Sequence, residues 1–267
     1  MNKQQQQTGN RGAMFAAIAI PVVLVVSYLI YTYVLGDKAN FEGGDPLKGH
    51  PLNVMGVIHK GGIIVPLLIG INLIIIVFSV ERFISLAGAR GKGSIDGFIR
   101  KIRGLLNTAS VDQAIVECDK QKGSVAAVVR AGLEKYKAVA ADNTLEKEAK
   151  VTAIKQELEE ATSLELPMLS KNLVILSTCA SISVLVGLIG TVIGMIKAFT
   201  AMANAGAPDT AALSLGISEA LINTAFGIIG SCIAIILFNY FSNRIDSMTY
   251  GMDEAGFSVA QSFAAKH

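Results

Sequence analysis

Four long apolar stretches restrict the possible fold of this chain more than any other feature of its sequence. They cover residues 13–35, 61–80, 173–196 and 211–241, and Glu219 is the single charged residue within them. Each stretch reaches or exceeds the roughly 20 residues that an α-helix needs to cross the hydrocarbon core of a bilayer. Because lipid offers the backbone no hydrogen-bond partners, we expect the segments to cross as helices. The sequence therefore predicts an all-α integral membrane protein with four spans.

The first apolar stretch has two interpretations, a secretory signal peptide or an uncleaved anchor, since Lys3 and Arg11 precede it. Its apolar region is longer than that of an ordinary signal peptide, and no small-residue cleavage site follows Tyr33. We expect an anchor.

The composition argues against several functional classes. Only 16% of the residues are charged, against about 25% in an average soluble domain. The net charge of +2 gives no electrostatic basis for binding nucleic acid. The three cysteines, Cys118, Cys179 and Cys232, have no C-x-x-C spacing, and the chain contains no catalytic triad, P-loop or zinc motif. We expect no enzymatic activity, no cofactor and no metal.

The distribution of Lys and Arg predicts the orientation in the membrane, because cytoplasmic loops carry the excess of these residues. The N-terminal segment carries Lys3 and Arg11, whereas the loop 201–210 has no Lys or Arg. A basic cluster follows the second span and comprises Arg82, Arg90, Lys92, Arg100, Lys101 and Arg103. With four spans, both termini are then expected in the cytoplasm.

These features predict nine segments. They are a cytoplasmic tail (1–12), an extra transmembrane anchor (13–35), a periplasmic loop (36–60), a transmembrane helix (61–82), a cytoplasmic helical domain (83–172), a third span (173–203), a second periplasmic loop (204–210), a fourth span (211–241) and a cytoplasmic C-terminal tail (242–267).

The domain at 83–172 has helical signals. Ser110 and Gln113 are spaced as a capping box, Asn143–Glu146 has the composition of a second helix start, and Pro167 predicts a kink or break. About 90 residues of helical hairpin bury little core alone. We expect this domain to pack against copies of itself.

Two hydroxyls are expected at one level in the membrane. Counting from the loop between the last two spans at 1.5 Å per residue, Thr191 and Thr224 both lie roughly 18–20 Å below the outer end. Small residues recur beside them at helical spacing, namely Gly187, Gly190 and Gly194 on span three and Ala220, Gly227 and Ser231 on span four. Such faces are typical of helix packing in membranes, and the threonines have a second interpretation as pathway groups.

Glu219 is the ionisable group of these spans, and ionisable residues inside a membrane often belong to an ion pathway. In the alternative interpretation, span four begins near Ala220 and the carboxyl lies in water. On an ideal helix Glu219 lies about 140° from Thr224. The two side chains are therefore not expected to share one narrow pore, and Glu219 is expected to face a subunit boundary while Thr224 faces the lumen.

Two motifs make the pattern specific. Residues 187–195 read GLIGTVIGM and precede Phe199, and residues 217–221 read ISEAL and precede TAFG at 224–227. Glu81-Arg82 ends the second span. Over about residues 61–242 the chain resembles the MotA/TolQ/ExbB proton channel family and is most similar to its ExbB/TolQ branch.

The resemblance implies a homopentamer in the inner membrane of a Gram-negative bacterium, with spans three and four around a central pore. It implies an ExbD- or TolR-like single-span partner with a membrane aspartate, and a TonB- or TolA-like energy transducer. Thr191 and Thr224 would be pore-lining hydroxyls and Glu219 the family's membrane glutamate. Proton flow would then drive outer-membrane import or envelope maintenance. The anchor at 13–35 lies outside the family's usual three-span plan.

Two further functional classes remain as alternatives. The first is a non-conducting scaffold that organises an envelope complex through its cytoplasmic helices. The second is a solute transporter, which the sequence favours less because it has no inverted repeat and no pair of Gly/Pro-broken helices.

Overall fold

The computed structural model describes residues 3–47, 49–108, 110–142, 144–204 and 210–266. Within these ranges the fold is helical, without a β-strand, and it has one isolated bridge between Phe41 and Pro51. The nine α-helices of the described residues are α1 (Lys3–Leu29), α2 (Val54–His59), α3 (Ile64–Ala89), α4 (Ile95–Asn107), α5 (Val111–Gln121), α6 (Gly123–Ala141), α7 (Lys147–Ser170), α8 (Leu173–Asn204) and α9 (Thr210–Lys266).

Four helical segments of the described chain are long and apolar enough to cross a membrane. The first, Met14–Leu35, consists of most of α1 and a π-helical turn over Ile30–Leu35, and the other three lie in α3, α8 and α9. The prediction of an all-α protein with four spans is therefore confirmed.

Helix α9 differs from the expectation of a span followed by a tail. It contains 57 residues and continues without interruption from Thr210 to Lys266. Residues 242–266, predicted to be a tail, are thus helical.

The chain forms two compact units. The first consists of the described residues of Met1–Val80 and Asn172–Asn239, and the second of those of Glu81–Lys171 and Tyr240–His267. Helices α3 and α9 contribute to both units.

The first unit includes an ordered segment between its first two spans. Asn40 is buried and donates hydrogen bonds to the carbonyls of Val34 and Leu35 at 2.9 and 3.0 Å. Asn53 donates to Asn40 Oδ1 at 2.8 Å and caps α2 by accepting from Gly56 N. These amides satisfy backbone groups that the helix ends leave open. The chain then turns at Gly61 and Gly62, where Gly62 has φ +78°, so that α3 begins at Ile64 rather than at residue 61.

The second unit has its own apolar core. Helix α4 buries Phe98, Ile99, Ile102 and Leu106 along one face. The C-terminal part of α9 contributes Met252, Ala255, Val259 and Phe263, all buried. Residues 83–172 therefore share this core with α9 of the same chain, and their packing against copies of the chain stays a prediction.

Three local predictions in this unit have different outcomes. Helix α5 begins at Val111 with Ser110 as its N-cap, but the Ser110 side chain makes no capping hydrogen bond. The prediction of a capping box is therefore wrong. The Ser110 hydroxyl lies instead 3.2 Å from that of Thr108. The helix start predicted at residues 143–146 falls at Lys147, and Asn143 lies outside the described residues. Pro167 lies inside α7, which ends three residues later at Ser170.

Candidate functional site

Helices α8 and α9 approach each other closely at two glycines. A Cβ atom on Gly187 would lie 3.2 Å from the Cα of Gly227, and one on Gly227 would lie 3.0 Å from the Cα of Gly187. These distances are shorter than an ordinary van der Waals contact between carbon atoms. The two backbones can therefore be this close only where both positions lack a side chain.

The other small residues predicted for packing lie along the same two helices. A Cβ on Gly194 would lie 2.9 Å from Ala220 N, and one on Gly190 would meet the Asn223 side chain. Ser231 is buried and lines an open groove together with Ser177 and Ser181.

The structure brings Thr191 and Thr224 together at the common level that the residue count predicts. Their Oγ1 atoms are hydrogen-bonded across α8 and α9, and Thr191 Oγ1 also donates to the Gly187 carbonyl at 3.2 Å. Since a hydroxyl has one proton to donate, Thr224 is the donor between the two threonines when Thr191 binds Gly187. Both residues are half-buried. The arrangement gives a short chain of hydroxyls between the helices.

Glu219 is buried within the first unit. Its side chain is 10% exposed, and Oε1 lies 2.6 Å from the Lys197 Nζ on α8. The carboxylate therefore does not lie in water but against α8 and the α2–α3 turn, and its expected place at a subunit boundary stays a prediction. Glu219 and Thr224 thus have different partners on α8, namely Lys197 for the carboxylate and Thr191 for the hydroxyl.

Lys197 belongs to the site in the structure, although the sequence did not predict it there. Its side chain is 52% exposed, but its ammonium is hydrogen-bonded to the buried carboxylate. The residue count that places the two threonines at one level also places Lys197 and Glu219 close to one level near the outer end of their helices. In the sequence, the signal for this ion pair is therefore that the two helices carry opposite charges at matching depth.

The turn between α2 and α3 covers the same region of α9. Asn223 Nδ2 donates to the Gly61 carbonyl at 2.9 Å, and a Cβ on Gly62 would overlap the Glu219 carboxylate. Asn223 and Glu219 are four residues apart and therefore share one face of the helix. The Gly61–Gly62 backbone thus contacts two successive turns of α9.

His59 precedes this turn and lies outside the membrane-spanning helices. Its ring stacks on that of Tyr31 with centroids 4.5 Å apart. Burial, together with the Lys60 ammonium, lowers the pKa of His59, so its imidazole is neutral near pH 7.

Arg82 is the main buried charge of the second unit. Its Nε and Nη2 donate to the two carboxylate oxygens of Glu81 at 2.7 and 2.6 Å, and Nη1 donates to the Leu169 carbonyl at 3.2 Å. The carboxylate of Glu81 thereby compensates the charge of the arginine, and the hydrogen bond to Leu169 links α3 to α7. Among the described residues, no group of three or more His, Cys, Asp or Glu side chains is placed to hold a metal ion.

Comparison with known proteins identifies one family and several relatives. The model of the MotA/TolQ/ExbB proton channel family matches residues 120–254. The biopolymer transport protein ExbB of Pseudomonas putida is 27% identical over 229 residues, which cover 84% of this chain and 67% of that protein.

Other relatives match over shorter stretches. The Tol-Pal system protein TolQ of Pseudomonas aeruginosa is 31% identical over 121 residues, covering 45% of this chain and 52% of the relative. The ExbB protein of Salmonella typhimurium is 38% identical over 72 residues, covering 27% of this chain and 30% of the relative. The chain thus aligns with between about a third and two thirds of these relatives' lengths.

Proposed function

Because the chain belongs to the MotA/TolQ/ExbB proton channel family and matches its ExbB/TolQ branch, we propose that it is the proton-channel subunit of an inner-membrane motor. In this proposal the motor couples the proton gradient to energy transfer across the envelope, for outer-membrane import or envelope maintenance. The subunit is a channel and stator component and not an enzyme. Its two termini lie in the cytoplasm.

The observation that carries the proposal is the hydroxyl pair within the α8–α9 interface. Thr191 and Thr224 contact each other between glycine-lined helix faces, at a depth where polar groups are costly unless they are used or paired. We assign to them the pore-lining part of a proton pathway. Glu219 supplies the carboxylate at its outer end.

This chain offers too few ionisable groups for a complete path across the bilayer. Among the described residues, Glu219 of the fourth apolar segment and Lys197, which directly follows the third, are the charged ones near the pathway, and they are paired with each other. The proposal therefore includes a single-span partner of the ExbD or TolR type, whose membrane aspartate completes the path. The subunit forms a ring, for which we propose five copies, and a TonB- or TolA-like protein transmits the work.

The energetics allow such a motor. One proton crossing 100 mV releases about 2.3 kcal/mol. That free energy is enough to shift a two-state equilibrium between arrangements of ring and partner by more than tenfold.

The proposal is tested by co-purification with the single-span, aspartate-bearing partner and by native mass spectrometry of the complex. A ring of five copies that retains partner helices is the expected result. A protein that never retains such a partner would contradict the motor and favour the scaffold.

Variants separate assembly from energy transfer. We expect Thr191→Val and Glu219→Gln to assemble but to lose energy transfer, because the first removes a hydroxyl of the pathway and the second removes the carboxylate at its outer end. Thr178→Val is the matched control, since Thr178 is exposed on another face of α8 and its hydroxyl binds the carbonyl of Val174 on its own helix. Full energy transfer by both pathway variants at normal protein level would exclude these residues from the mechanism.

A further inference from the structure

The ion pair of Lys197 and Glu219 lies where three elements of the first unit meet. Lys197 belongs to α8, Glu219 belongs to α9, and the Gly61–Gly62 turn lies directly against the carboxylate. Asn223 fastens the same turn to α9 one helical turn away. The pair therefore joins both pathway helices to the segment that follows the first span.

The two partners differ in their exposure. The Glu219 side chain is 10% exposed, whereas that of Lys197 is 52% exposed. A buried carboxylate needs a counter-ion or several hydrogen bonds, because its loss of hydration is otherwise uncompensated. Lys197 supplies this counter-ion at the end of its flexible stem, and about half of its side chain stays exposed.

The proposed function places Glu219 at the outer end of the proton pathway, and the inference drawn here rests on that function. We propose that Lys197 is a positioning residue which holds Glu219 as a fixed partner, and that Glu219 does not itself carry protons. The neutral pair fixes the outer ends of α8 and α9 against the α2–α3 turn. This arrangement keeps Thr191 and Thr224 in register.

This assignment differs from that of a proton carrier in a way that substitutions can separate. A carrier needs a carboxyl group at position 219, whatever residue occupies position 197. A positioning pair needs two matched groups, and an amide pair can replace it because two Gln side chains also hydrogen-bond to each other. Removing one partner alone leaves the other buried and unmatched, which is the costly case.

The test measures proton flux into vesicles that contain the complete complex of ring and partner, driven by an imposed membrane potential. We expect Lys197→Gln and Glu219→Gln each to lower the flux at least about tenfold, a typical size for coupled residues. The double variant K197Q/E219Q should recover to within about threefold of the unsubstituted complex, as expected for non-additive partners in contact. The charge-swapped variant K197E/E219K should also regain proton flux relative to the single variants. Lys197→Arg should retain most of the flux.

Lys38→Gln is the matched control, because Lys38 is an exposed lysine of the segment between the first two spans and its loss changes the net charge equally. Lys38→Gln should leave the flux unchanged. If K197Q/E219Q remains as inactive as Glu219→Gln, the positioning role is overturned and Glu219 is a carrier. Normal flux in Lys197→Gln would overturn it as well.

Thermal unfolding of the purified ring gives a readout that does not depend on conduction. Each single variant should lower the Tm, and both double variants should restore it. If the unsubstituted complex passes no protons, the proposed function fails, and this melting pattern still decides whether the pair holds the helices together. If the single and double variants have the same lowered Tm, the positioning role of the pair is overturned in that case too.

Discussion

The two halves of α9 bury different kinds of residues, although they belong to one continuous helix. In the first unit the buried positions of α9 are small or polar, namely Gly216, Glu219, Ala220, Asn223, Gly227, Gly230, Ser231 and Ala234. In the second unit six of the ten are large and apolar, namely Phe241, Ile245, Met248, Met252, Val259 and Phe263, and the other four are Gly251, Ala255, Gly256 and Ala260. Large apolar residues of the first half, such as Leu221 and Ile236, are exposed.

The difference follows from the surroundings of each half. In water, burial of a large apolar side chain is itself the driving force for packing. In lipid that force is absent between helices, because the acyl chains are as apolar as leucine. Association then depends on close backbone approach and on polar contacts. The same helix therefore packs through large apolar side chains in the second unit and through small residues and polar contacts in the first.

The largest expected effect concerns the apolar core of the second unit. Phe263 is fully buried and packs edge-to-face on Tyr136 with ring centroids 4.8 Å apart. Phe263→Ala should lower the free energy of unfolding by about 3–5 kcal/mol. Phe257→Ala, on the same helix but at a 65% exposed position, should change it by less than about 0.5 kcal/mol. Urea denaturation monitored by hydrogen exchange in α6 measures both, and equal effects would show that α9 does not complete this core.

The next effect tests the small-residue interface in the membrane. Gly227→Leu places a side chain against Gly187 and the Ser183 carbonyl, and we expect a cost of about 1–3 kcal/mol from overpacking. Gly88→Leu is the control, because a Cβ on Gly88 meets no atom within 4 Å. Thermal stability of the purified proteins distinguishes the two. Similar losses at both positions would mean that close approach at Gly227 does not stabilise the unit.

A smaller change tests the contact between the α2–α3 turn and Glu219. Gly62 and Gly43 both have left-handed φ angles, +78° and +70°. Alanine at either site should lower the free energy of unfolding by about 1–2 kcal/mol, because an L-residue is strained in that conformation. A Cβ on Gly43 meets nothing within 4 Å, whereas one on Gly62 overlaps the Glu219 carboxylate. Of the two variants, only Gly62→Ala should therefore lower the proton flux. Unchanged flux in that variant would show that the turn has no part in proton conduction.

The smallest effect concerns a carboxylate that water surrounds, in contrast to Glu219. The Thr144 hydroxyl and backbone N–H donate to Asp142 and lower the pKa of its carboxyl. The contribution to stability is present above the ordinary carboxyl pKa of about 4 and is lost as the pH falls through the lowered value. Asp142→Asn should remove this acid-dependent part and leave a small change in Tm, because the group is exposed. Identical Tm-against-pH curves for the two proteins would contradict the contribution.

The sequence predicted the four spans because uncharged runs of this length have few alternatives. It also predicted the level of the threonines, since the helical rise and a short connecting loop determine depth. The Lys197–Glu219 pair was missed because it depends on helix rotation, which the spacing alone does not fix. The role of residues 242–266 was missed because α9 changes from a membrane pattern to a soluble one without a break. The turn at Gly62 and the absent Ser110 cap depend on local dihedral angles that several residues determine together.

The threonine pair in the α8–α9 interface is proposed above to serve proton conduction. Its most direct test is the proton flux of the reconstituted ring and partner in which both Thr191 and Thr224 are replaced by valine, with Thr178→Val as the control. We expect an intact ring that loses most of its flux, while the control conducts normally. Undiminished flux through an intact doubly substituted ring would contradict it.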